Sequence, residues 1–280
     1  MPAVYAHLQY GNEVAKALPP ILGAIIEKYP EAFALGTQGP DILFYHEPLK
    51  KNTLRSKGSA LHKVSGNQLF KEQAKKLLNL GNSLEEIIER EGGAYVSYVC
   101  GFLCHFSLDV ACHPYVNEKT SDEVSHFKIE SEFEKFLLKK DGISIRGYNT
   151  AEPILNQNGV KESVAYSLDI PVKSAAKSIK TMRTINKLFS YPFEPFHALA
   201  QFVLGVAKLT RTFGDMFLSK KDEPLCEESN HVLNELLISA VPKGVKLVEE
   251  FFGNLEKFQA DGKLENGLLR YDFSGNLTKE

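Results

Sequence analysis

The chain has 280 residues, of which 43% are apolar and 24% charged, and its formal net charge at pH 7 is −2. This balance is typical of a folded globular protein and excludes a disordered chain. The small net charge excludes a bulk electrostatic attraction to nucleic acid or to an anionic membrane. Either partner would need a local basic patch.

Apolar residues recur mostly at helical spacing, and alternating runs of β-branched residues are scarce. The sequence therefore predicts an all-α fold, a multi-helix bundle in one domain over residues 1–280. The predicted helices cover residues 11–29, 59–80, 83–90, 94–112, 121–139, 171–189, 194–218 and 227–258. We expect the functional site to be built from residues 1–135, with the helices of residues 171–258 packing on it.

Residues 140–167 are the least periodic part of the chain. They carry Gly142, Gly147, Pro153 and Gly159, and they predict a long loop. Loops of this length in compact domains are often functional.

The N-terminal decapeptide MPAVYAHLQY has no basic stretch followed by an apolar core and a small-residue cleavage site, so no signal peptide is predicted. The most apolar stretch, residues 94–111, contains His105 and Asp109. Because a charge at the centre of a membrane span is costly, we interpret this stretch as a buried helix.

Three of the four cysteines, Cys100, Cys104 and Cys112, lie in or beside this apolar stretch, and the fourth is Cys226. We predict reduced core thiols in a cytoplasmic protein. Ligation of zinc by Cys100 and Cys104 is the alternative, but no second cysteine pair completes such a site.

The strongest pattern is His105-x3-Asp109-x3-His113, followed by His126-x3-Glu130. Residues four apart lie on the same face of a helix, so each pair can chelate a metal ion. Ligands at three successive turns drift slowly around the helix, which suits two neighbouring ions with the middle carboxylate bridging them. Five ligand-type residues exceed the four of a closed structural site. Several ions held by mixed histidine and carboxylate ligands are typical of phosphoester hydrolysis.

The alternative is that these histidines are hydrogen-bonded core residues. A buried carboxylate such as Asp109 nevertheless needs a cation or several donors close by, which favours the metal site. Imidazole and carboxylate ligands suit zinc best, with iron or manganese as weaker choices. Because Pro114 disfavours helical geometry in the residue before it, we expect the helix to end at His113.

The order of these residues resembles the zinc-dependent phospholipase C family, which is related to the trinuclear zinc nucleases that cleave single strands. The matching segments are AHLQYG, GTQGPDILF, LHK, AYVSYVCGFLCHFSLDVACHPY and HFKIE. The resemblance implies a helical bundle of that family's type. It also implies a zinc-dependent hydrolase that cleaves phospholipid into diacylglycerol and a phosphorylated head group.

The resemblance also implies which residues bind zinc. The ligand sets are Asp41, His62, His105 and Asp109 for one ion, His113, His126 and Glu130 for a second, and His7 with Asp109 for a third. In such families an N-terminal tryptophan completes the third site, and this chain contains no tryptophan. Two zinc ions are therefore expected, and the third is left open, with Pro2 as a candidate terminus.

Asp41 is the residue that the resemblance marks as catalytic, as the group that orients or deprotonates the attacking water. Gly39 and Pro40 predict a turn from which Asp41 opens into solvent. For His62, an ordinary exposed helix position beside Lys63 is the alternative. The remaining histidines, His46, His197 and His231, match no pattern and are expected at surface or core positions.

The substrate is less specified than the metal site. Over residues 171–189, Lys173, Lys177, Lys180 and Lys187 share one side of the predicted helix, and Val172, Ala176, Ile179 and Met182 share another. This pattern suits transient contact with an anionic membrane, and a plain amphipathic helix is the alternative. A phospholipid or another phosphodiester is the expected substrate, and nucleic acid is less favoured.

Three other classes of function compete with a phospholipase. One is a zinc nuclease or nucleotide phosphoesterase. Another is a non-catalytic protein that zinc stabilises, and the last is a binding protein for a phosphorylated metabolite.

Overall fold

The computed structural model describes residues 3–145, 148–150, 152–153, 159–190, 195–196, 198–199, 202, 214–219 and 221–279. These residues form α-helices joined by short turns, with no β-strand among them, which confirms the all-α prediction. In chain order the helices are α1 (Val4–Ala15), α2 (Pro20–Lys28), α3 (Pro30–Gly36), α4 (Thr53–Leu61), α5 (Gly66–Leu78), α6 (Leu84–Ile87), α7 (Gly93–Lys119), α8 (His126–Lys140), α9 (Val160–Leu168), α10 (Val172–Phe189), α11 (Glu227–Gly253) and α12 (Leu255–Asp261).

Three long predicted helices are each divided in the structure, and the one over residues 227–258 divides between α11 and α12. Residues 11–29 contain the end of α1 and all of α2, because Pro19 and Pro20 supply no backbone N–H and a new helix starts at Pro20. Residues 59–80 divide at Ser65, whose hydroxyl accepts a hydrogen bond from the N–H of Gln68 and so caps α5. The helix predicted over 171–189 is α10 almost residue for residue.

The long loop predicted over residues 140–167 is wrong in its last part, where α9 occupies Val160–Leu168. Gly159, at φ +85°, starts this helix in a conformation that suits glycine. Most of the helix predicted over 194–218 lies outside the described residues, and Gly214–Met216 forms a 3₁₀ turn.

Helix α7 is the axis of the fold and packs against α1, α2, α3, α5, α8, α9 and α11. The stretch Leu84–Lys119 is long and apolar enough to cross a membrane by length and composition alone. In this protein 89% of its most apolar window is buried, which is the burial of a core helix. The apolar side chains on all its faces are covered by the surrounding helices.

The prediction that the central helix ends at His113 is wrong, because α7 continues through Pro114 to Lys119. Pro114 removes one hydrogen bond from the helix, but packing beyond it offsets the loss. Tyr115, for example, donates a hydrogen bond of 3.4 Å from its hydroxyl to Ser229 on α11. His113 therefore stays on the helical face that carries the other candidate ligands of α7.

Helices α3 and α7 cross at a pair of glycines. A Cβ on Gly36 would lie 2.1 Å from the carbonyl oxygen of Tyr98, and a Cβ on Gly101 would lie 2.3 Å from that of Phe33. Only glycine allows the two backbones to approach so closely. This approach brings the turn after α3 against the middle of α7, where His105 lies.

Helix α8 is fixed to residues 214–219 and 221–226 by a buried lysine. Lys135 is 2% exposed, pairs with Glu132 at 2.6 Å and donates to the carbonyl oxygens of Ser219 and Lys221 at 3.2 and 2.9 Å. Its charge is thus matched by a carboxylate and two acceptors, as a buried ammonium requires. Ser219 and Lys221 are thereby held against the helix that carries His126 and Glu130.

Candidate metal centre

The eight candidate ligands come from five parts of the chain and meet beside α7. His7 lies on α1, Asp41 on the 3₁₀ helix Gly39–Tyr45, His62 at the end of α4, His105, Asp109 and His113 on α7, and His126 and Glu130 on α8. Their ligand atoms form three groups, within each of which all atoms lie within 4.8 Å of one another. The groups are His7–His105–Asp109, Asp41–His62–His105 and His113–His126–Glu130.

Asp109 lies at the centre of this arrangement and is 2% exposed. Its Oδ2 is 3.2 Å from Nε2 of His105, and its Oδ1 is 3.3 Å from Nε2 of His7 and 3.6 Å from Nε2 of His113. One carboxylate therefore faces imidazoles on both sides. This is the geometry that a bridging ligand needs.

Asp41 reaches the centre through the turn that follows α3. Gly39 has φ +48°, and a Cβ there would lie 2.3 Å from Cδ2 of His105, so this position requires glycine. The turn places Oδ1 of Asp41 2.9 Å from Nε2 of His62. The expectation that Asp41 opens into solvent is wrong, because it is 2% exposed and packed under α7.

The His113–His126–Glu130 group lies where the start of α8 meets α7. Ser125 caps this helix by accepting a hydrogen bond from the N–H of Lys128, so the first turn is fixed. His126 and Glu130 then lie one turn apart, with Nε2 and Oε1 at 3.0 Å. Nε2 of His113 reaches the same oxygen at 3.5 Å.

Three histidines are oriented by backbone carbonyls. Nδ1 of His62 lies 2.8 Å from the carbonyl oxygen of Gly58, and Nδ1 of His105 lies 3.0 Å from that of Thr37. Nδ1 of His113 lies 2.7 Å from the carbonyl oxygen of residue 273. A carbonyl only accepts, so each Nδ1 donates and carries the proton, which leaves a lone pair on Nε2 when the ring is neutral. Metal-binding histidines are usually fixed in this way.

These Nε2 atoms lie close to carboxylate oxygens, which also carry lone pairs. The atoms are near one another, but none of these three Nε2 atoms makes a hydrogen bond. Buried atoms of the described residues that lack a hydrogen-bond partner include His7 Nδ1, His62 Nε2, His105 Nε2, Asp109 Oδ2, His113 Nε2 and Glu130 Oε2. Leaving so many polar atoms buried and unsatisfied is costly unless a cation lies between them. The short nitrogen–oxygen distances are therefore interpreted as close approach around a common centre.

The spacing of the ligand atoms also fits zinc. Four ligands at about 2.0–2.1 Å from a tetrahedral zinc ion would lie about 3.3 Å apart. The histidine–carboxylate distances within the three groups run from 2.9 to 3.5 Å. In addition, a cavity of about 30 Å³ lies among His7, Asp109, His113 and Glu130, which is room for one ion or one water molecule.

The carboxylates of the centre are ionised. Burial disfavours the charged form of Asp109, but the imidazoles of His113 and His105 outweigh it and hold the pKa well below its usual value. The pKa of Glu130 is also lowered, because His126 and His113 offset the effect of burial. Burial likewise opposes ionisation of Asp41, and positive charge nearby, including His62, keeps its pKa low. Three buried carboxylates that favour the charged form thus lie among the histidines of the centre.

The His7–His105–Asp109 group shares His105 with the Asp41–His62–His105 group. His105 has only Nε2 to offer, since its Nδ1 is bonded to Thr37, so it serves a single ion. Within the described residues, His7 and Asp109 remain for a third ion, with the His7 ring stacked on that of His105 at 4.3 Å. Pro2, the other candidate for that site, lies outside the described residues.

The histidines outside the centre and the four cysteines are expected at surface or core positions. His46 is half-buried with Nδ1 3.4 Å from the hydroxyl of Ser178, and His231 is exposed beside Phe136. His197 lies outside the described residues. The four cysteines are free and buried, and no metal-ligand group in the described part of the chain contains one.

Two contributors to the centre were missed from the sequence. Phe273, near the C-terminus, is fully buried with its ring 4.9 Å from that of His62 and 5.7 Å from that of His105, and its carbonyl orients His113. Glu134 is buried one turn beyond Glu130 and accepts a hydrogen bond from the N–H of Tyr5. Only Glu134 could have been found from the sequence, because it continues the four-residue spacing of His126 and Glu130.

A cavity of about 370 Å³ opens beside the centre, with His62, His113 and His126 in its wall. Its volume is that of a small-molecule site. The rest of its wall is mostly aromatic and aliphatic, with a few polar groups. The candidate ligands thus lie where a bound molecule could reach them.

Comparison with known families decides the assignment of the chain. The family described as zinc dependent phospholipase C matches residues 6–178, which include all eight candidate ligands. The chain belongs to this family. No curated protein and no solved structure shows a significant match. Membership in the zinc-dependent phospholipase C family supports a zinc-dependent hydrolase of phosphodiesters, with phospholipid as the implied class of substrate.

Proposed function

We propose that this protein is a zinc-dependent phosphodiesterase that cleaves phospholipid into diacylglycerol and a phosphorylated head group. The observation that carries the proposal is the convergence of buried imidazole lone pairs and three carboxylates beside α7, with three of the histidines in the wall of a largely apolar cavity. Multinuclear sites of this donor set perform phosphoester hydrolysis. Family membership supports the same reaction class.

In this proposal one zinc ion is held by Asp41, His62, His105 and Asp109. The other is held by His113, His126 and Glu130, with Asp109 within reach of both. His7 is the candidate for a third ion.

Zinc in such a site supplies Lewis acidity and lowers the pKa of a coordinated water to about 7. The protein's own groups position the reactants. Asp41 is ionised and lies 2.9 Å from His62, so it can orient the attacking water and accept its proton. The apolar wall of the cavity accommodates the apolar part of a substrate and limits competing water.

Replacement of Asp41 by Asn tests the catalytic role. The amide keeps the size of the side chain and one oxygen ligand but cannot accept the proton, so turnover of bis-p-nitrophenyl phosphate should fall at least a hundredfold. Zinc content by elemental analysis should stay close to that of the wild type. Asp122→Asn, an exposed acid-to-amide change, serves as control. Joint loss of zinc and activity in Asp41→Asn would make Asp41 a structural ligand only.

The substrate class is tested by comparing phosphatidylcholine, bis-p-nitrophenyl phosphate and single-stranded DNA. Hydrolysis of lipid above DNA supports the phospholipase, and the reverse supports a zinc nuclease. Zinc-loaded protein without turnover of any of them would be a non-catalytic or binding protein.

Transient contact with an anionic membrane is a proposal based on charge alone. Lys173, Lys177, Lys180 and Lys187 are exposed on α10, while Ile179 and Met182 of its apolar face are fully buried against the protein. Ile179 and Met182 therefore pack within the fold, whereas Val172 of the same face is 41% exposed. A cytoplasmic location is proposed on the four free, buried cysteines, which suit a reducing compartment.

A further inference from the structure

Among the described residues, the wall of the cavity beside the metal centre contains one arginine and no lysine. On the side away from the candidate ligands its surface is largely apolar, with Asn117 and Ser274 as neutral polar groups. The apolar side chains are Phe44, Tyr45, Pro48, Phe127, Ile185 and Met216. Arg55 supplies the charge, and no carboxylate lies in the described wall of the cavity.

Arg55 is held in place without losing its charge. It lies in the first turn of α4, and its Nη1 donates to the carbonyl oxygens of Pro48 and Lys50 at 2.6 and 3.4 Å. A guanidinium has five N–H donors, so most remain for a ligand. No ion pair to Arg55 occurs among the described residues, whereas Lys177 nearby in the fold pairs with Glu47 at 2.6 Å.

We infer that Arg55 is a specificity-determining residue that selects phosphodiesters whose head group carries a further negative charge. The inference deepens the proposed function and rests on it. The planar fork of arginine matches the oxygens of a phosphate or carboxylate and binds them bidentately. A half-buried, backbone-anchored guanidinium also loses little side-chain entropy on binding such a group.

The same charge acts against a quaternary ammonium head group. Aromatic rings such as Phe44 and Phe127 could by themselves attract a cation. Within a cavity of about 370 Å³, however, a bound ammonium would lie close to Arg55 and be repelled by it. Selection therefore has an attractive part for anionic head groups and a repulsive part for cationic ones.

The test uses short-chain lipids below the concentration at which they form micelles, so that surface binding is not involved. Wild-type protein should have a kcat/KM for dioctanoyl phosphatidylinositol 4-phosphate at least about tenfold above that for dioctanoyl phosphatidylcholine. Arg55→Gln should lower the first value by about 10- to 100-fold, the range for loss of a charged hydrogen bond. The second value should stay the same or rise by up to about threefold, because a repelling charge is removed. Arg55→Lys, which keeps the charge and loses the fork, should fall between. Lys51→Gln, an exposed charge outside the cavity, should match the wild type.

A binding measurement gives a second readout. Isothermal titration of the zinc-loaded protein with inositol 1,4-bisphosphate and with phosphocholine should show weaker binding of the bisphosphate in Arg55→Gln and no such change for phosphocholine. Equal losses on both lipids, or a wild-type preference for the choline lipid, would overturn the inference while turnover of bis-p-nitrophenyl phosphate still supports the proposed function. Absence of turnover of all three substrates would overturn both. If Arg55→Gln does not fold, the inference is tested by the preference of the wild-type protein for the phosphoinositide over phosphatidylcholine, and by the reduction of that preference in Arg55→Lys.

Discussion

Replacement of Phe273 by Ala perturbs the side of the metal centre that lies outside the part of the chain matched by the family. The Phe273 ring is fully buried and packs on His62 and His105, and on Phe106 at a centroid distance of 5.0 Å. Its carbonyl accepts the hydrogen bond that orients His113. The substitution therefore removes the packing of the ring against His62 and His105. It also weakens the hydrogen bond between the backbone carbonyl of residue 273 and His113.

The expected magnitude follows from burial. Truncating a buried Phe to Ala costs about 3–5 kcal/mol. For a chain of 280 residues, an unfolding entropy of about 2.1 cal/mol/K per residue converts this cost into a decrease of about 5–8 °C in Tm. Loss of support for metal-binding histidines typically lowers metal affinity by about 10- to 100-fold.

The assay measures thermal unfolding by circular dichroism and zinc affinity by competition with a chromophoric chelator. Phe273→Leu is the matched control, since it keeps a large apolar side chain and should cost less than Phe273→Ala. A Phe273→Ala protein that melts with the wild type and binds zinc equally well would refute the role assigned to the C-terminal segment.

Two further predictions concern helix packing and a buried acid. Gly101→Ala would place a Cβ 2.3 Å from the carbonyl oxygen of Phe33 and 2.7 Å from the backbone nitrogen of Thr37. It should lower the free energy of unfolding by at least about 1–3 kcal/mol, measured in urea, whereas Gly23→Ala, with open space around it, should raise it by about 0.5–1 kcal/mol. Equal effects of the two would contradict the tight crossing. Burial raises the pKa of Glu134 from 4.5 to about 8, so the folded state binds the extra proton and its stability falls as pH rises between these values. In chelator-treated protein, Tm measured from pH 5 to 9 should fall less in Glu134→Gln than in the wild type, and parallel curves would contradict the assignment.

The fold class and the row of candidate ligands on α7 could both be predicted from the sequence, because both depend on helical periodicity. His105, Asp109 and His113 recur every four residues, so their common face follows from helix geometry alone. The second pair, His126 and Glu130, follows in the same way once Ser125 caps the helix.

Features that depend on distant contacts were not predictable from local patterns. The burial of Asp41 depends on how closely α3 crosses α7, which Gly36 and Gly101 set from opposite sides of the interface. Phe273 is far from the ligands in sequence and has no motif around it. The continuation of α7 past Pro114 is likewise set by packing, which outweighs the local preference of proline.

Zinc analysis of the wild-type protein tests the central claim most directly. The protein should be purified without an affinity tag, chelator or added metal, and metal measured by elemental analysis against protein concentration. The account predicts about two zinc ions per chain, the number that the two complete sets of ligands can hold. Protein that is folded by circular dichroism and holds no zinc, and takes up none when zinc is supplied, would contradict it.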